Sequence, residues 1–328
     1  MTARFVFLVH ALSPVHRRFI GLRRATPSIA LGLRDGTDPM SGIGRICTLR
    51  LGDVAEGEVW AVPLDPTQML EDQERALVRL ERAARLAMLH GPVGAVGLGS
   101  LAAVIGGRGE ALQERLSVPV TTGGAATAWA LWKNTRAVLE ARGADGTVAV
   151  IGASAPVGKA VATLLSQDGY RVRVDNKRAA KGLDVELADD ADAAAAGCAV
   201  VVGAATTGGL LNPAALASGA IVVDVALPSI LTGPAPAGVR LLAGEAVSCP
   251  PSWDGGTWGR IYQILAGYGP FQVFACLIEP LVLAVDGRDR PYALGRKLEA
   301  ADVREFGVRA EALGFRPRLA QGWREARL

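Results

Sequence analysis

Long uncharged apolar runs are missing from this sequence. Half of its 328 residues are hydrophobic and the mean hydropathy is +0.27, yet no uninterrupted segment approaches the roughly 20 residues that a spanning helix needs. The most apolar stretch, 271–285, is broken by Glu279 and Pro280. A cleavable leader is not legible: FVFLV after Arg4 is short, lacks a small-residue cleavage site and reads as a buried strand. Cysteine is scarce as well. Cys47, Cys198, Cys249 and Cys276 form no C-x-x-C pair and have no histidine at ligand spacing. That excludes a zinc site or a disulfide framework and suits a reduced, cytoplasmic setting. Neither charge sign dominates, for the net charge is +3. The groups Arg17, Arg18, Arg23, Arg24 and Arg316, Arg318, Arg324, Arg327 read as solvated faces or as steering for an acidic protein partner. No basic stretch interleaved with aromatics marks a nucleic-acid module.

What is present is alternation of strand and helix signals. Strands are expected near Phe5–Val9, Arg45–Leu51 and Glu58–Val62, followed by one helix that starts at Asp65 and Pro66. Its buried face would carry Leu70, Leu77, Leu80, Ala84 and Ala87, and Gly91 would end it. The glycine-rich stretch His90–Gly109 reads as strand plus turns, and Ala126–Arg142 as a second helix. After the polar hinge Gly143–Gly146 come apolar strands before Gly152, at Tyr170–Val174, Ala199–Ala204 and Ala220–Ala226. This pattern predicts an α/β protein with a Rossmann-like doubly wound parallel sheet. Three segments are expected: an N-terminal α/β substrate domain over 1–142, a dinucleotide-binding domain over 143–248, and a C-terminal helical segment over 249–328.

The strand VAVI runs into Gly152, Ala153, Ser154, Ala155, Pro156, Val157 and Gly158 and then into a helix. Such a turn lets backbone approach a pyrophosphate and aims a helix N-terminus at it. The usual middle glycine is replaced, so a tight βα turn without ligand would leave the same trace. At the end of the next strand, Asp175 suits a ribose hydroxyl and NADH, whereas Asn176, Lys177 and Arg178 suit a 2′-phosphate. The expected cofactor is NADPH, with NADH not excluded. Segments Ala205–Gly209 and Leu227–Thr232, after the next two strands, would flank its nicotinamide half.

Cys276 lies in FQVFACLIEPL, with Gln272 one turn before it and Glu279 three residues after it. On one helix all three would share a face. Pro280 cannot donate to the carbonyl of Cys276 and would kink that helix. Cys276 reads either as a packed apolar residue or as a nucleophile. An ionised Glu279 nearby would raise its pKa, so Glu279 would have to be neutral, turned away or engaged. His10 and His16 are candidate acid–base groups or structural hydrogen-bonders. Thr121, Thr122 and Thr127 in TTGGAATA would donate hydroxyls to a substrate oxygen or begin a helix.

The ordered blocks VHALSPVH, EGEVWAVPLDPTQML, TTGGAATA, VAVIGASAPVG, FQVFACLIE and GFRPRL resemble the long-chain acyl-(acyl-carrier-protein) reductases of cyanobacterial type. The resemblance implies reduction of a fatty acyl thioester to an aldehyde, with Cys276 as the acylated nucleophile and hydride from NADPH. It also implies an acyl carrier protein or CoA thioester as substrate partner, an aldehyde-consuming enzyme downstream, and an acyl chain buried around Ile105 and 271–285. The sequence departs from that pattern at Ala155 and Pro156 in the turn, at Gly124 and Ala126, and at Cys249. A direct hydride-transfer dehydrogenase on a small carbonyl compound, or a non-catalytic nucleotide-binding protein, fits the same residues.

Overall fold

The structure is a computed structural model that describes residues 2–10, 43–143, 147–265, 268–269 and 271–320. In chain order, strands β1 (Ala3–His10), β2 (Gly44–Leu51) and β3 (Ala55–Val62) precede helices α1 (Pro66–Glu71) and α2 (Gln73–Met88). Then come β4 (Ala95–Leu98), the short helices α3 (Ile105–Arg108) and α4 (Glu110–Arg115), β5 (Val120–Thr121) and the long α5 (Gly124–Arg142). An alternating run follows: β6 (Val148–Ile151), α6 (Pro156–Gln167), β7 (Val172–Val174), α7 (Lys177–Ala180), β8 (Glu186–Leu187), α8 (Ala191–Ala195), β9 (Val200–Gly203) and β10 (Ile221–Asp224). The chain ends with β11 (Arg240–Ala243), β12 (Ala246–Ser248), β13 (Trp253–Asp254), α9 (Gly256–Leu265), β14 (Gln272–Phe274), α10 (Ala275–Asp286), α11 (Ala300–Ala312) and β15 (Arg316–Pro317). It is an α/β protein with a Rossmann-like doubly wound sheet. No helix among the described residues is long and apolar enough to cross a membrane.

Two compact units share the chain. The first holds Met1–Gly123, Cys249–Ala266 and Cys276–Gly295; the second holds Gly124–Ser248, Gly267–Ala275 and Arg296–Leu328. The residues after Cys249 therefore return to both.

In the first unit the strand order is β13-β2-β3-β1-β4-β5. Strands β3, β1, β4 and β5 are parallel, while β2 and β13 add antiparallel edges. Helix α2 packs against this sheet through Ala76, Leu77, Leu80, Ala83, Ala84 and Ala87, the spacing of a single apolar stripe. The expected single helix is in fact two. Asp72 leaves the helical conformation and its side chain accepts the Arg75 N–H, so it caps α2 and leaves Leu70 about half exposed. A capping box of Asp65 and Gln68 starts α1.

In the second unit the order is β11-β10-β9-β6-β7-β8 with every pair parallel. Val148 to Ile151, Val200 to Val202 and Val222 and Val223 are buried, as a sheet covered on both faces requires. Helix α6 begins with Pro156 at its first position and buries Val161, Leu164 and Leu165. The chain runs outward from β6 to β7 and β8, then returns to β9 on the other side of β6. That reversal places a crevice beyond the carboxyl ends of β6 and β9. A three-stranded antiparallel sheet, β14-β12-β15, completes this unit.

Candidate functional site

Gly152 occupies the crevice. Its φ is +85°, and a Cβ there would lie 2.5 Å from the Cα of Ala205, so backbone meets backbone at the ends of β6 and β9. Only glycine combines that conformation with that approach. Gly158 packs in the same way on the carbonyl of Gly152. Helix α6 has no side-chain cap at Ala155, and Pro156 has no N–H. The N–H groups of Val157 and Gly158 thus stand at an uncapped helix start with the positive end of the dipole. Ser154 is exposed, whereas Ala155, Pro156 and Val157 are half-buried. The substituted middle glycine therefore leaves the βα turn intact.

Beyond β7, the Asp175 carboxylate accepts the Gly152 N–H at 3.3 and 3.4 Å through its two oxygens. Burial pushes its carboxyl up from the usual range, against the pull of that N–H. Asn176 caps α7 by accepting the Arg178 N–H at 2.8 Å, and the Lys177 and Arg178 side chains are exposed. On the other side of the reversal, Ala205–Gly209 and Leu227–Thr232 lie against one another. The Gly209 N–H donates to Ser229 O at 2.9 Å, and the Leu210 N–H to Ile230 O at 2.8 Å. Buried Asp224 at the end of β10 bonds the second of these loops through Ala226, Ser229 and Ile230, a role that the sequence reading did not assign.

In the first unit, β1 is the strand where direction reverses, with β3 on one side and β4 and β5 on the other. Buried Thr121 ends β5; its hydroxyl meets Glu279 of α10 and Ala293 O, the latter at 3.1 Å, and accepts the Gly123 N–H at 3.1 Å. Glu279 is fully buried and engaged. Gly123 has φ +71°, and a Cβ on it would lie 2.6 Å from the Cα of Cys276. Cys276 is half-buried. Pro280 packs on β4, where a Cβ on Gly97 would lie 2.5 Å from its Cγ. Thr121, Cys276 and Glu279 are thus brought together, and Thr122 adjoins them with its N–H on Ala293 O at 3.1 Å.

Other expected residues lie elsewhere. Helix α10 starts only at Ala275, and Gln272 sits in β14, so it does not share a helix face with Cys276 and Glu279. Val273 and Phe274 favour a strand, and β12 supplies its pairing partner. The Gln272 amide accepts the Gly269 N–H at 3.2 Å and donates to Arg318 O at 3.4 Å. His10 is buried at the end of β1, and its Nε2 accepts the Leu101 N–H at 3.2 Å. A ring nitrogen that accepts carries no proton, so this bond fixes the tautomer in the structural manner. Thr127 is half-buried in the first turns of α5, and His16 lies outside the described residues.

Another buried carboxylate was not foreseen. Glu58 of β3 accepts from Trp60 Nε1 and Arg45 Nη1, each at 2.8 Å, and meets His90 Nδ1 at 3.0 Å. Burial raises its pKa, yet bonds from Trp60, His90 and Arg45 outweigh this and hold it below the ordinary glutamate value. No cluster of metal-ligating side chains occurs among the described residues.

No family model matches the chain. Over 95% of its length it is 27% identical to the aminotransferase PigE of Serratia sp. (strain ATCC 39006). The match spans only 39% of that relative. Among solved structures, the N5,N10-methylenetetrahydrofolate dehydrogenase-cyclohydrolase of Trypanosoma brucei, complexed with NADP cofactor and inhibitor, is 15% identical. The similarity covers 95% of this chain and 86% of that one with a TM-score of 0.31, too low to support an argument. The curated relative overturns the expectation of an acyl-(acyl-carrier-protein) reductase. Its name denotes amino transfer, which exchanges an amine with a carbonyl compound and consumes no acyl thioester. Thioester reduction, a fatty aldehyde product and an acyl-carrier partner fall with that expectation, and the two other readings gain nothing from the relative.

Proposed function

We propose that this chain is a dinucleotide-binding enzyme unit that serves amino-transfer chemistry without itself carrying the amino-transfer centre. The carrying observation is the crevice at Gly152, where glycine backbone, an uncapped helix start and the β6/β9 reversal coincide. These residues fit a nicotinamide dinucleotide. Val157 and Gly158 would hold its pyrophosphate through backbone N–H groups, with Ser154 at the rim. Lys177 and Arg178 would meet a 2′-phosphate, which favours NADPH. A bound nicotinamide supplies hydride chemistry.

Pyridoxal phosphate, the cofactor of amino transfer, reacts with a lysine amine held in its site. The lysines of this chain do not fit that demand. Lys159, Lys177, Lys181 and Lys297 are exposed. Lys133 pairs with Glu311 at 3.8 Å and lies over Trp132 at 4.9 Å from the ring centroid. The match to PigE over 39% of that protein leaves the larger part of the relative to account for its named chemistry. In the first unit, half-buried Cys276 is the candidate for substrate contact beside the carboxyl end of β5, and buried Thr121 and Glu279, bonded to each other, would support it from behind.

Fluorescence titration with NADPH and NADH tests this reading. Saturable NADPH binding is expected, and Lys177→Ala with Arg178→Ala should weaken it about tenfold, roughly two exposed charge contacts, while NADH binding changes little. Absence of saturable binding by either dinucleotide overturns the reading.

A further inference from the structure

Asp224 is 0% exposed, and its carboxylate bonds the loop that follows it at three points. Oδ1 accepts the Ala226 N–H at 2.8 Å; Oδ2 accepts the Ser229 hydroxyl at 2.9 Å and the Ile230 N–H at 3.0 Å. A buried carboxylate is retained only where donors replace its water, and three donors from one loop let a single side chain set the course of that loop. The loop in turn carries its neighbour after β9. Besides the bonds from Gly209 and Leu210, the Leu211 N–H donates to Ile230 O at 3.0 Å and the Thr232 N–H to Leu211 O at 2.9 Å. A Cβ on Gly208 would lie 2.5 Å from both Pro228 O and Ser229 O, so the two backbones touch without intervening side chains. The result is one platform beyond the carboxyl ends of β9 and β10.

A dinucleotide has two halves, and a doubly wound sheet receives them on opposite sides of its reversal. The Gly152 turn and Asp175 lie toward β7; the platform lies toward β10. We propose that Asp224 is the positioning residue for the half of the dinucleotide received by the β9 and β10 loops, an inference that rests on the Gly152 crevice being a dinucleotide site. Asp224 touches no ligand in this account. It fixes the backbone groups of 205–209 and 227–230 before the cofactor arrives, so that the ordering of these loops is not charged to binding.

The test compares NADPH with 2′,5′-ADP, which carries only the adenosine half, on the full chain. Asp224→Asn replaces an acceptor by a donor facing the Ser229 hydroxyl and the Ile230 N–H. It should weaken NADPH binding about tenfold and leave 2′,5′-ADP binding nearly unchanged. Ser229→Ala removes the hydroxyl bond to Oδ2 and should shift the same ratio in the same direction by about threefold, even if Asp224→Asn fails to fold. A purely structural role would lower both affinities together. Equal loss of both ligands, or no loss of NADPH affinity, overturns the positioning role. A wild-type chain that binds neither ligand overturns the dinucleotide reading itself, and the inference with it.

Discussion

A methyl group at Gly123 would be set against Cys276 in a backbone conformation, φ +71°, that disfavours any side chain. The left-handed conformation costs roughly 1–2 kcal/mol and overpacking about 1–3 kcal/mol more. Gly123→Ala is therefore expected to lose about 3 kcal/mol of stability in urea denaturation, and an unchanged midpoint would contradict the packing described. Glu58 yields a prediction with a pH sign. Its folded pKa is lowered, so its contribution is complete above the ordinary glutamate value and disappears as pH falls from there through the lowered one. Glu58→Gln leaves Arg45, 11% exposed, without its charge partner and should cost about 3 kcal/mol at neutral pH. The gap between wild type and variant should close in acid, as acid-titrated thermal unfolding will show. Neither residue was legible as a centre. In AEGEVWAV, Glu58 alternates with apolar neighbours as a solvent-facing strand residue would, and its partners Arg45 and His90 lie 13 and 32 residues away.

Elements were legible where one stretch of chain decides them. The strand before Gly152, the glycine turn and the Pro156 helix follow from apolar run, glycine and proline in sequence. Break points decided by a single cap were less so. Asp72 lies within an apolar helical pattern, and only its side-chain bond to the Arg75 N–H shows that a second helix begins there. Asp72→Ala should remove about 1 kcal/mol, read as a lower unfolding midpoint with little change in cooperativity. Strand β14 depends on a distant partner, β12, so local spacing around Cys276 favoured a helix that included Gln272. At the interface of α10 and β4, Gly97→Ala would force Pro280 and Phe7 aside, the latter from 2.9 Å. A loss of about 1–3 kcal/mol is expected from overpacking; unchanged thermal stability would show that α10 does not rest on β4 in this way.

At the scale of the whole molecule, the alternation of strands and helices announced the doubly wound sheet, but not the order β11-β10-β9-β6-β7-β8 that places its crevice. Nor did it announce Asp224, whose only sequence trace is a lone charge inside the apolar stretch Ala220–Leu227. The short blocks that resembled acyl-(acyl-carrier-protein) reductases carried turn and packing features, such as Gly123 against Cys276, that a scaffold needs whatever reaction it serves. Reaction class is set by a site rather than by a fold. The central claim is that the Gly152 crevice takes a nicotinamide dinucleotide and that the lysines of this chain do not take pyridoxal phosphate. Calorimetric titration of the full chain with each cofactor, followed by borohydride treatment and mass analysis, tests it most directly. The account predicts one NADPH bound per chain and no single lysine that is pyridoxylated stoichiometrically; one pyridoxyl-lysine per chain at a single position, in a chain that binds no NADPH, would contradict it.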